Sequence, residues 1–138
     1  MSPELSILIP VRDEEENVKI ISNKIDKEIA NPNYELLFVN DFSEDDTIKV
    51  IEEMKIQNNK IRYVNNNKKG LGGAISLGIT EAKGKYICIM MSDSSDTVED
   101  LNRYYETIMY NDLDAVFGSR FIKGGKTVDY PIIKLILN

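Results

Sequence analysis

The sequence predicts an α/β domain with three layers, in which helices cover both faces of a mainly parallel sheet. Short apolar runs rich in β-branched residues recur along the chain, and segments with apolar residues every three or four positions lie between them. Because strand and helix alternate strictly, the strands are expected to pair in parallel through right-handed crossovers. The 138 residues are enough for one domain, residues 1–138, with a core of its own.

Five apolar runs are predicted to form buried strands. They are Leu5–Val11, Tyr34–Asn40, Ile61–Asn65, Lys85–Met91 and Asp114–Ser119. Four further segments have the spacing of amphipathic helices, which places their apolar residues on one face. These apolar stripes are Val18, Ile21, Ile25 and Ile29; Ile48, Ile51 and Met54; Ala74, Leu77 and Ile79; and Leu101, Tyr104, Tyr105 and Ile108.

Helix boundaries are marked by capping residues. Ser43 followed by Asp46 predicts a capping box for the second helix, and Thr97 followed by Asp100 predicts one for the fourth. Gly84 stands where a glycine C-cap is expected after the third helix. For Thr97 and Asp100 in particular, a polar turn between a strand and a helix is the plain structural interpretation.

Composition excludes several classes of function. The net charge of −6, from 23 acidic and 17 basic residues, argues against a nucleic-acid partner. The absence of histidine excludes histidine triads and histidine zinc sites, and the single cysteine, Cys88, excludes a disulfide scaffold. No basic region followed by an apolar run marks a signal sequence, so the expected location is the cytoplasm, at or away from a membrane surface.

The tail after Arg120 differs in character from the rest of the chain. Gly124 and Gly125 predict a turn, and PIIKLILN predicts the first turns of an apolar helix that begins near Pro131. Such a segment is expected to be buried or to lie on a membrane surface. We therefore expect the chain to be the front part of a longer catalytic domain, with peripheral membrane contact through this segment.

Polar and charged residues follow every predicted strand. In open α/β sheets, ligands bind beyond the carboxyl ends of the strands, where the strand order reverses. The segments found there are RDEEEN, NDFSEDDT, NNKKGLGGA, SDSSD and SRF. GLGGAI lacks the glycine spacing and the position after the first strand that a dinucleotide-binding loop needs. The pattern favours a site for another ligand at this edge.

These segments carry a resemblance. PVRDEEEN, FVNDFSEDDT, KKGLGGAI, MMSDSSDTVEDL and AVFGSRFIKGG, in this order, resemble the family 2 glycosyltransferases of GT-A fold. Within that family they resemble the branch that transfers mannose or glucose to polyprenyl phosphates in glycan or cell-envelope biosynthesis. The resemblance implies an inverting transfer of a hexose from UDP-hexose or GDP-hexose to a lipid phosphate. It also implies a divalent cation, Mg²⁺ or Mn²⁺.

The resemblance assigns the donor nucleotide to the first three motifs. Asp41 is expected to accept a hydrogen bond from an N–H of uracil or guanine. Lys69 is the candidate contact to the diphosphate, beside a glycine segment that allows close approach of the backbone. The remaining candidates for this pocket are Pro10, Val11, Glu14, Ser43, Asp45, Gly70 and Gly72.

The last two motifs are assigned to the cation and the reaction. Asp93 is the candidate metal ligand and catalytic carboxylate, with Ser95 and Asp96 as further oxygen ligands. Arg120 is the second candidate catalytic residue, because a guanidinium can bind the phosphate of the acceptor or of the donor.

Three residues depart from the family pattern. Asn40 and Met91 replace the usual first aspartate of their motifs, and Phe42 replaces a glycine. Two alternatives therefore stay open, namely a noncatalytic module that binds a nucleotide sugar and a transferase that acts on a saccharide hydroxyl. The second alternative requires a carboxylate base, whereas a phosphate acceptor is already an anionic nucleophile.

Overall fold

A computed structural model describes residues 2–93 and 95–119. The elements are β1 (Leu5–Val11), α1 (Asn17–Glu28), β2 (Tyr34–Asn40), α2 (Thr47–Gln57), β3 (Ile61–Asn65), α3 (Leu71–Glu81), β4 (Tyr86–Ile89) and α4 (Val98–Asn111). The strands form one sheet in the order β3-β2-β1-β4, and every pair in it is parallel. The predicted parallel α/β architecture is confirmed.

Helices cover both faces of the sheet, as predicted. On one face, Ile7, Ile9 and Phe38 belong to a buried cluster that also contains side chains of α1, α2 and α4. On the other face, Leu8 and Val39 pack with residues of α3. β1 and β2 are buried along their whole length because they are central strands with helices on both sides. Their sequences are accordingly apolar almost throughout.

The fifth predicted strand is wrong. Asp114–Ser119 forms no strand, and its side chains are exposed or half-buried, with Phe117 90% exposed. An apolar run becomes a strand only where it pairs with the sheet and buries a face, and this run does neither. β4 is also shorter than predicted, from Tyr86 to Ile89.

Two of the three predicted helix caps are wrong. The Thr97 hydroxyl accepts a hydrogen bond from Asp100 N at 3.0 Å, so this cap is confirmed. α2 instead begins at Thr47, and the Ser43 hydroxyl accepts from Asp13 N rather than from α2. Gly84 lies beyond Ala82, the C-cap of α3, and donates its N–H to the Ser6 hydroxyl at 2.8 Å.

Glycine at position 78 lets α3 lie close to the sheet. A Cβ on Gly78 would come within 2.6 Å of Leu8 Cγ. Ile79, which the sequence placed on the apolar stripe, is 49% exposed, so Gly78 and Ala74 form the contact face. The spacing rule misses this contact because it counts apolar side chains and gives no weight to glycine.

A buried polar network joins the amino-terminal end of the sheet to the end of α3. Glu35 accepts from the Ser6 hydroxyl at 2.6 Å, from Lys83 N at 2.7 Å and from Arg62 Nε at 2.8 Å. Arg62 also donates to the carbonyl of Glu81 at 2.7 Å. Burial raises the pKa of Glu35, but these three donors more than offset it and hold that pKa below its ordinary value of 4.5.

Within the described ranges, no helix has the length and apolar character needed to cross a bilayer. The predictions for Arg120, the Gly124–Gly125 turn and the PIIKLILN segment fall outside these ranges.

We expect opposite effects from alanine at two glycines of α3. Gly72→Ala should raise the free energy of unfolding by up to about 1 kcal/mol, because its Cβ would meet nothing within 4 Å and alanine favours the helix. Gly78→Ala should lower the free energy of unfolding by about 1–3 kcal/mol. Alanine favours the helix here too, but its Cβ would overpack against Leu8, and this cost is larger. Urea denaturation of the two variants and the parent measures both values. Equal effects at the two positions would contradict the packing argument.

We expect the free energy of unfolding of Glu35→Gln to depend less on pH, in the acidic range, than that of the parent. A carboxylate whose pKa is depressed on folding contributes stability above its unfolded pKa of about 4.5, and this is lost as the pH falls through the folded value. At pH 7 the variant should lose about 2 kcal/mol from its charged hydrogen bonds. Denaturation at several pH values from 7 to 2 measures the slope, with exposed Glu28→Gln as control. If the free energy of unfolding of Glu35→Gln falls with pH as steeply as that of the parent, other carboxylates cause the loss of stability in acid.

Candidate functional site

The strand order places the reversal point between β1 and β4. From β1 the chain adds β2 and β3 on one side and then returns to add β4 on the other side. Ligands of open α/β sheets bind outside the carboxyl ends of the strands at such a point. The segment after Val11 and the segment from Met90 onward therefore border the crevice, with the segments after β2 and β3 beside it.

The segments after β1 and β2 are joined by reciprocal hydrogen bonds. Asp13 N donates to the Ser43 hydroxyl at 3.1 Å, and Glu44 N donates to Asp13 Oδ1 at 2.7 Å. Glu15 N donates to Asp45 Oδ2 at 3.2 Å. Ser43 and Asp45, which the sequence assigned to the nucleotide pocket, thus hold the two segments together.

Glu14 belongs to the same connection. Its backbone N–H donates to the Thr47 hydroxyl at 2.8 Å, and its carboxylate accepts from Asn17 Nδ2 at 2.6 Å. Slight burial raises the pKa of Asp45, but donors from Thr47 and Glu15 outweigh it and lower that pKa overall. The carboxylates of Asp13, Glu14 and Asp45 each accept hydrogen bonds within this connection, which fixes the shape of the crevice wall.

The end of β1 contributes backbone atoms rather than side-chain atoms to the structure of the crevice. Val11 is 2% exposed, and Pro10 is also buried. The carbonyl of Val11 accepts from Asp41 N at 2.8 Å, which continues the ladder between β1 and β2 by one residue. These two predicted pocket residues therefore position the start of the crevice and place Asp41 directly beside it.

The Asp41 carboxylate is buried and holds the glycine segment after β3. It is 6% exposed, and its Oδ1 accepts from Asn66 Nδ2 at 2.7 Å. Gly70 N donates to both carboxylate oxygens, at 2.9 Å to Oδ1 and 3.1 Å to Oδ2. Asp41 and Gly70, assigned to one pocket from sequence, are thus in direct contact. Gly70 has φ +113°, a conformation that favours glycine.

Asn66 is a site residue that the sequence analysis missed. It is 6% exposed, and besides Asp41 its amide donates to the carbonyl of Lys68 at 2.7 Å. Its Oδ1 accepts from Lys68 N at 3.2 Å. A Cβ on Gly73 would overlap the Lys68 carbonyl, so glycine is required there for this turn to form. A sequence signal was present: an asparagine directly after a strand often forms a turn, in which its side chain accepts from the backbone N–H two residues later.

Asn40, in place of the usual aspartate, also holds a turn. Its Oδ1 accepts from Ser43 N at 3.0 Å, a bond that an aspartate would make equally well. Its Nδ2 donates to Asn65 Oδ1 at 2.9 Å, which an aspartate could not do. Asn40 and Asn65 are opposite each other in the β2–β3 register. The asparagine at position 40 is therefore accommodated by Asn65 on the neighbouring strand.

Phe42 and Lys69 meet at the rim of the crevice. Lys69 Nζ lies 5.9 Å from the centroid of the Phe42 ring, which is close enough for a cation–π contact. Phe42 is 44% exposed and has φ +61°, in the left-handed region. Lys69 is exposed, and around Gly72 a Cβ would meet nothing within 4 Å. This rim is open to a ligand.

The segment after β4 carries the candidate metal ligands. Asp93 is exposed and its Oδ1 accepts from Ser95 N at 2.9 Å, and hydrogen bonds from the hydroxyl and N–H of Ser95 lower the pKa of Asp93. Asp96 Oδ2 accepts from Met91 N at 2.9 Å. In residues 2–93 and 95–119, no three Asp, Glu or Cys side chains converge as a metal cage would require.

The donor set nevertheless suits one kind of metal site. Mg²⁺ and Mn²⁺ prefer hard oxygen ligands, and Mg²⁺ is commonly held by one or two carboxylates together with substrate phosphates. Asp93 supplies an ionised, exposed carboxylate, and Asp96 has one carboxylate oxygen besides the one that binds Met91 N. The residues present fit a cation that is held jointly with a diphosphate, and they do not fit a cage made by protein alone.

A cavity of about 600 Å³ lies beside β4, on the side away from β1, and among the described residues its lining includes one predicted site residue, Asp96. It is lined mainly by apolar and aromatic side chains of β4, α4 and the segment after α4. Burial, and then the charge of Asp96, raise the pKa of Cys88 in its wall to about 11, so the thiol is protonated at neutral pH. The cavity runs beside β4 and meets the crevice at Asp96, which follows the carboxyl end of this strand.

Comparison with solved structures defines the class of protein. A mannosyltransferase from Pyrobaculum calidifontis, solved in complex with GDP-Man and Mn²⁺, matches with a TM-score of 0.67 and 17% identity, over 78% of this chain and 33% of that one. The shared fold is the GT-A glycosyltransferase fold.

Sequence comparison then identifies the family. The profile described as Glycosyl transferase family 2 matches residues 6–136, and the chain belongs to this family. A dolichol-phosphate mannosyltransferase of Pyrococcus furiosus is 30% identical over 135 residues, covering 97% of this chain and 38% of the relative. The enzyme of the same description from Saccharomyces cerevisiae is 28% identical over 144 residues, covering 100% of this chain and 53% of the relative. The resemblance to the polyprenyl-phosphate branch is confirmed, and the chain spans about half or less of these relatives.

Proposed function

We propose that this chain, as a single domain, is the donor-binding part of an inverting hexosyltransferase. It would bind a UDP-hexose or GDP-hexose in the crevice between β1 and β4, and the hexose would pass to a polyprenyl phosphate. The observation that carries the proposal is that the strand order and the Asp41–Gly70 contact bring the candidate base, diphosphate and cation contacts to one sheet edge. Family membership supports the reaction class.

Asp41 is assigned to the nucleobase. The carboxylate retains acceptor capacity on Oδ2, whose only protein donor among the described contacts is Gly70 N at 3.1 Å. A base N–H that donates to a buried carboxylate forms a stronger hydrogen bond than one that donates to a hydroxyl or amide acceptor. Uracil and guanine both carry such an N–H, so this contact alone does not choose between them.

Lys69 and Asp93 are assigned to the diphosphate. Lys69 lies on the exposed rim and supplies a positive charge, and the turn at Gly70 lets the backbone come close to the ligand. A divalent cation on Asp93, assisted by Ser95 and Asp96, would neutralise the departing nucleoside diphosphate. The mannosyltransferase of the same fold was solved with Mn²⁺, which supports this assignment.

The acceptor phosphate completes the reaction. Its oxygen would attack the anomeric carbon from the face opposite the diphosphate, so that the new C–O bond forms as the bond to the diphosphate breaks with its electron pair. Since the nucleophile is already an anion, no side chain has to remove a proton. Arg120, outside the described residues, is proposed to bind this phosphate. We propose that this lipid acceptor brings the protein to the cytoplasmic face of a membrane, and the net charge of −6 argues against a nucleic-acid partner.

Calorimetric titration tests the proposal directly. The chain is titrated with UDP, GDP and their glucose and mannose conjugates, with and without Mn²⁺, and thermal shift provides an independent readout. A ligand present at 100 times its Kd should stabilise the fold by about 2.7 kcal/mol. We expect one nucleotide series to bind with a cation-dependent affinity. If neither series binds, the proposal is wrong.

We expect Asp93→Asn to remove the dependence of donor binding on Mn²⁺. Because Asp93 is exposed and lies outside the core, the variant should keep the parental melting temperature. Removing one of few protein ligands should weaken binding in Mn²⁺ by about tenfold or more, whereas the cation-free affinity stays the same. Asp96→Asn should show a smaller loss, and exposed Asp114→Asn is the matched control. An unchanged cation dependence in Asp93→Asn would remove the metal role.

Transfer distinguishes the proposed reaction from its alternatives. Labelled donor is incubated with the full-length protein in detergent, together with either a short polyprenyl phosphate or a saccharide acceptor. We expect product only with the phosphate acceptor. Donor binding without transfer to either acceptor would identify a noncatalytic module, and product with the saccharide would reassign the acceptor.

A further inference from the structure

The contacts of Asn66 exceed what a simple turn residue needs. Its Nδ2 donates to two acceptors at 2.7 Å, the Asp41 carboxylate and the Lys68 carbonyl, and the Gly70 carbonyl lies at 3.5 Å. Its Oδ1 accepts from Lys68 N at 3.2 Å. One buried amide thus joins the segment after β2 to the segment after β3.

The two oxygens of Asp41 differ in the hydrogen bonds that they accept from the protein. Oδ1 already accepts from Asn66 at 2.7 Å and from Gly70 N at 2.9 Å, whereas Oδ2 has the longer contact to Gly70 N at 3.1 Å. A carboxylate has about four acceptor positions, so the remaining capacity is concentrated on Oδ2. Without the Asn66 donor, the two oxygens would become nearly equivalent and the carboxylate could rotate.

We infer that Asn66 is a positioning residue for nucleobase recognition, which acts through Asp41 and not by touching the ligand. It holds the carboxylate with Oδ2 directed to the base and, through the Lys68 carbonyl, keeps Lys69 and Gly70 beside the diphosphate. Base recognition and diphosphate recognition are thereby preorganised by the same side chain. This inference rests on the proposed function, because it requires a nucleotide in the crevice.

Methylated nucleotides separate a positioning role from a structural one. If the parent prefers UDP, the probe is 3-methyl-UDP, and if it prefers GDP, the probe is 1-methyl-GDP, since each lacks the N–H that Asp41 would bind. The parent should bind the natural nucleotide at least tenfold more tightly than its methylated form. A purely structural role of Asn66 would change both affinities by the same factor, whereas a positioning role changes their ratio.

The variants are Asn66→Ala and Asn66→Ser, with the exposed neighbour Asn67→Ala as matched control. Asn66→Ser is uncharged, and its hydroxyl can still accept from Lys68 N in the turn, so it serves if Asn66→Ala does not fold. Its shorter side chain and single O–H cannot reproduce the bonds of the amide to both Asp41 and the Lys68 carbonyl. We expect the preference for the natural over the methylated nucleotide to fall at least fivefold in both Asn66 variants. Asn67→Ala should keep the parental preference.

The outcomes are distinguishable. A parent that binds neither UDP nor GDP overturns the proposed function and this inference together. A parent that binds, with Asn66 variants whose preference for the natural nucleotide equals the parent's, overturns the inference and leaves the proposed function in place. A parent that binds the natural and methylated forms equally removes Asp41 from base recognition, and the role of Asn66 with it.

Discussion

A buried carboxylate must be satisfied by hydrogen bonds, and the candidate site is built around this requirement at Asp41. The side chain is 6% exposed and accepts from Asn66 and Gly70. An ionised carboxylate without donors in this position would cost several kcal/mol, so the segment after β3 must fold over it. That in turn requires a positive φ at Gly70 and the absence of a side chain at Gly73. The conformation of the glycine segment therefore depends on the Asp41 carboxylate, which lies about 30 residues earlier in the chain.

The two ends of the sheet use buried carboxylates in different ways. At the amino-terminal end, Glu35 accepts from Ser6, Lys83 N and Arg62, and these donors lower its pKa within a network that joins β1, β2, β3 and the segment after α3. At the carboxyl-terminal end, Asp41 also accepts three hydrogen bonds, but it lies where the segments that border the crevice meet. A buried acid by itself is therefore no sign of function. The useful distinction is its position relative to the edge of the sheet at which ligands bind.

The departures from the family pattern have different structural consequences. Asn40 is matched by Asn65 across the β2–β3 register and fully used in the turn. Phe42 brings an aromatic ring to the rim, where Lys69 contacts it. Met91 offers its backbone N–H to Asp96 but no hard oxygen ligand, so the cation site depends on Asp93 and on the ligand's own phosphates. Met91 therefore reduces the number of side-chain oxygen ligands that the site can supply to a cation.

The sequence by itself determined the four strands, the helices between them, and the edge at which polar side chains collect, because each depends on a local period of apolar residues or on chain order. It also proposed Asp41, Gly70 and Asp93 as site residues, through motifs that are contiguous in the chain. Tertiary structure decided the rest. The strand order, the failure of Asp114–Ser119 to form a strand, and the contacts of Ser43, Gly78 and Gly84 all depend on which element lies alongside. Asn66 belongs to this second group, because its donor matters only after Asp41, 25 residues earlier, has been brought within 2.7 Å by the pairing of β2 with β3.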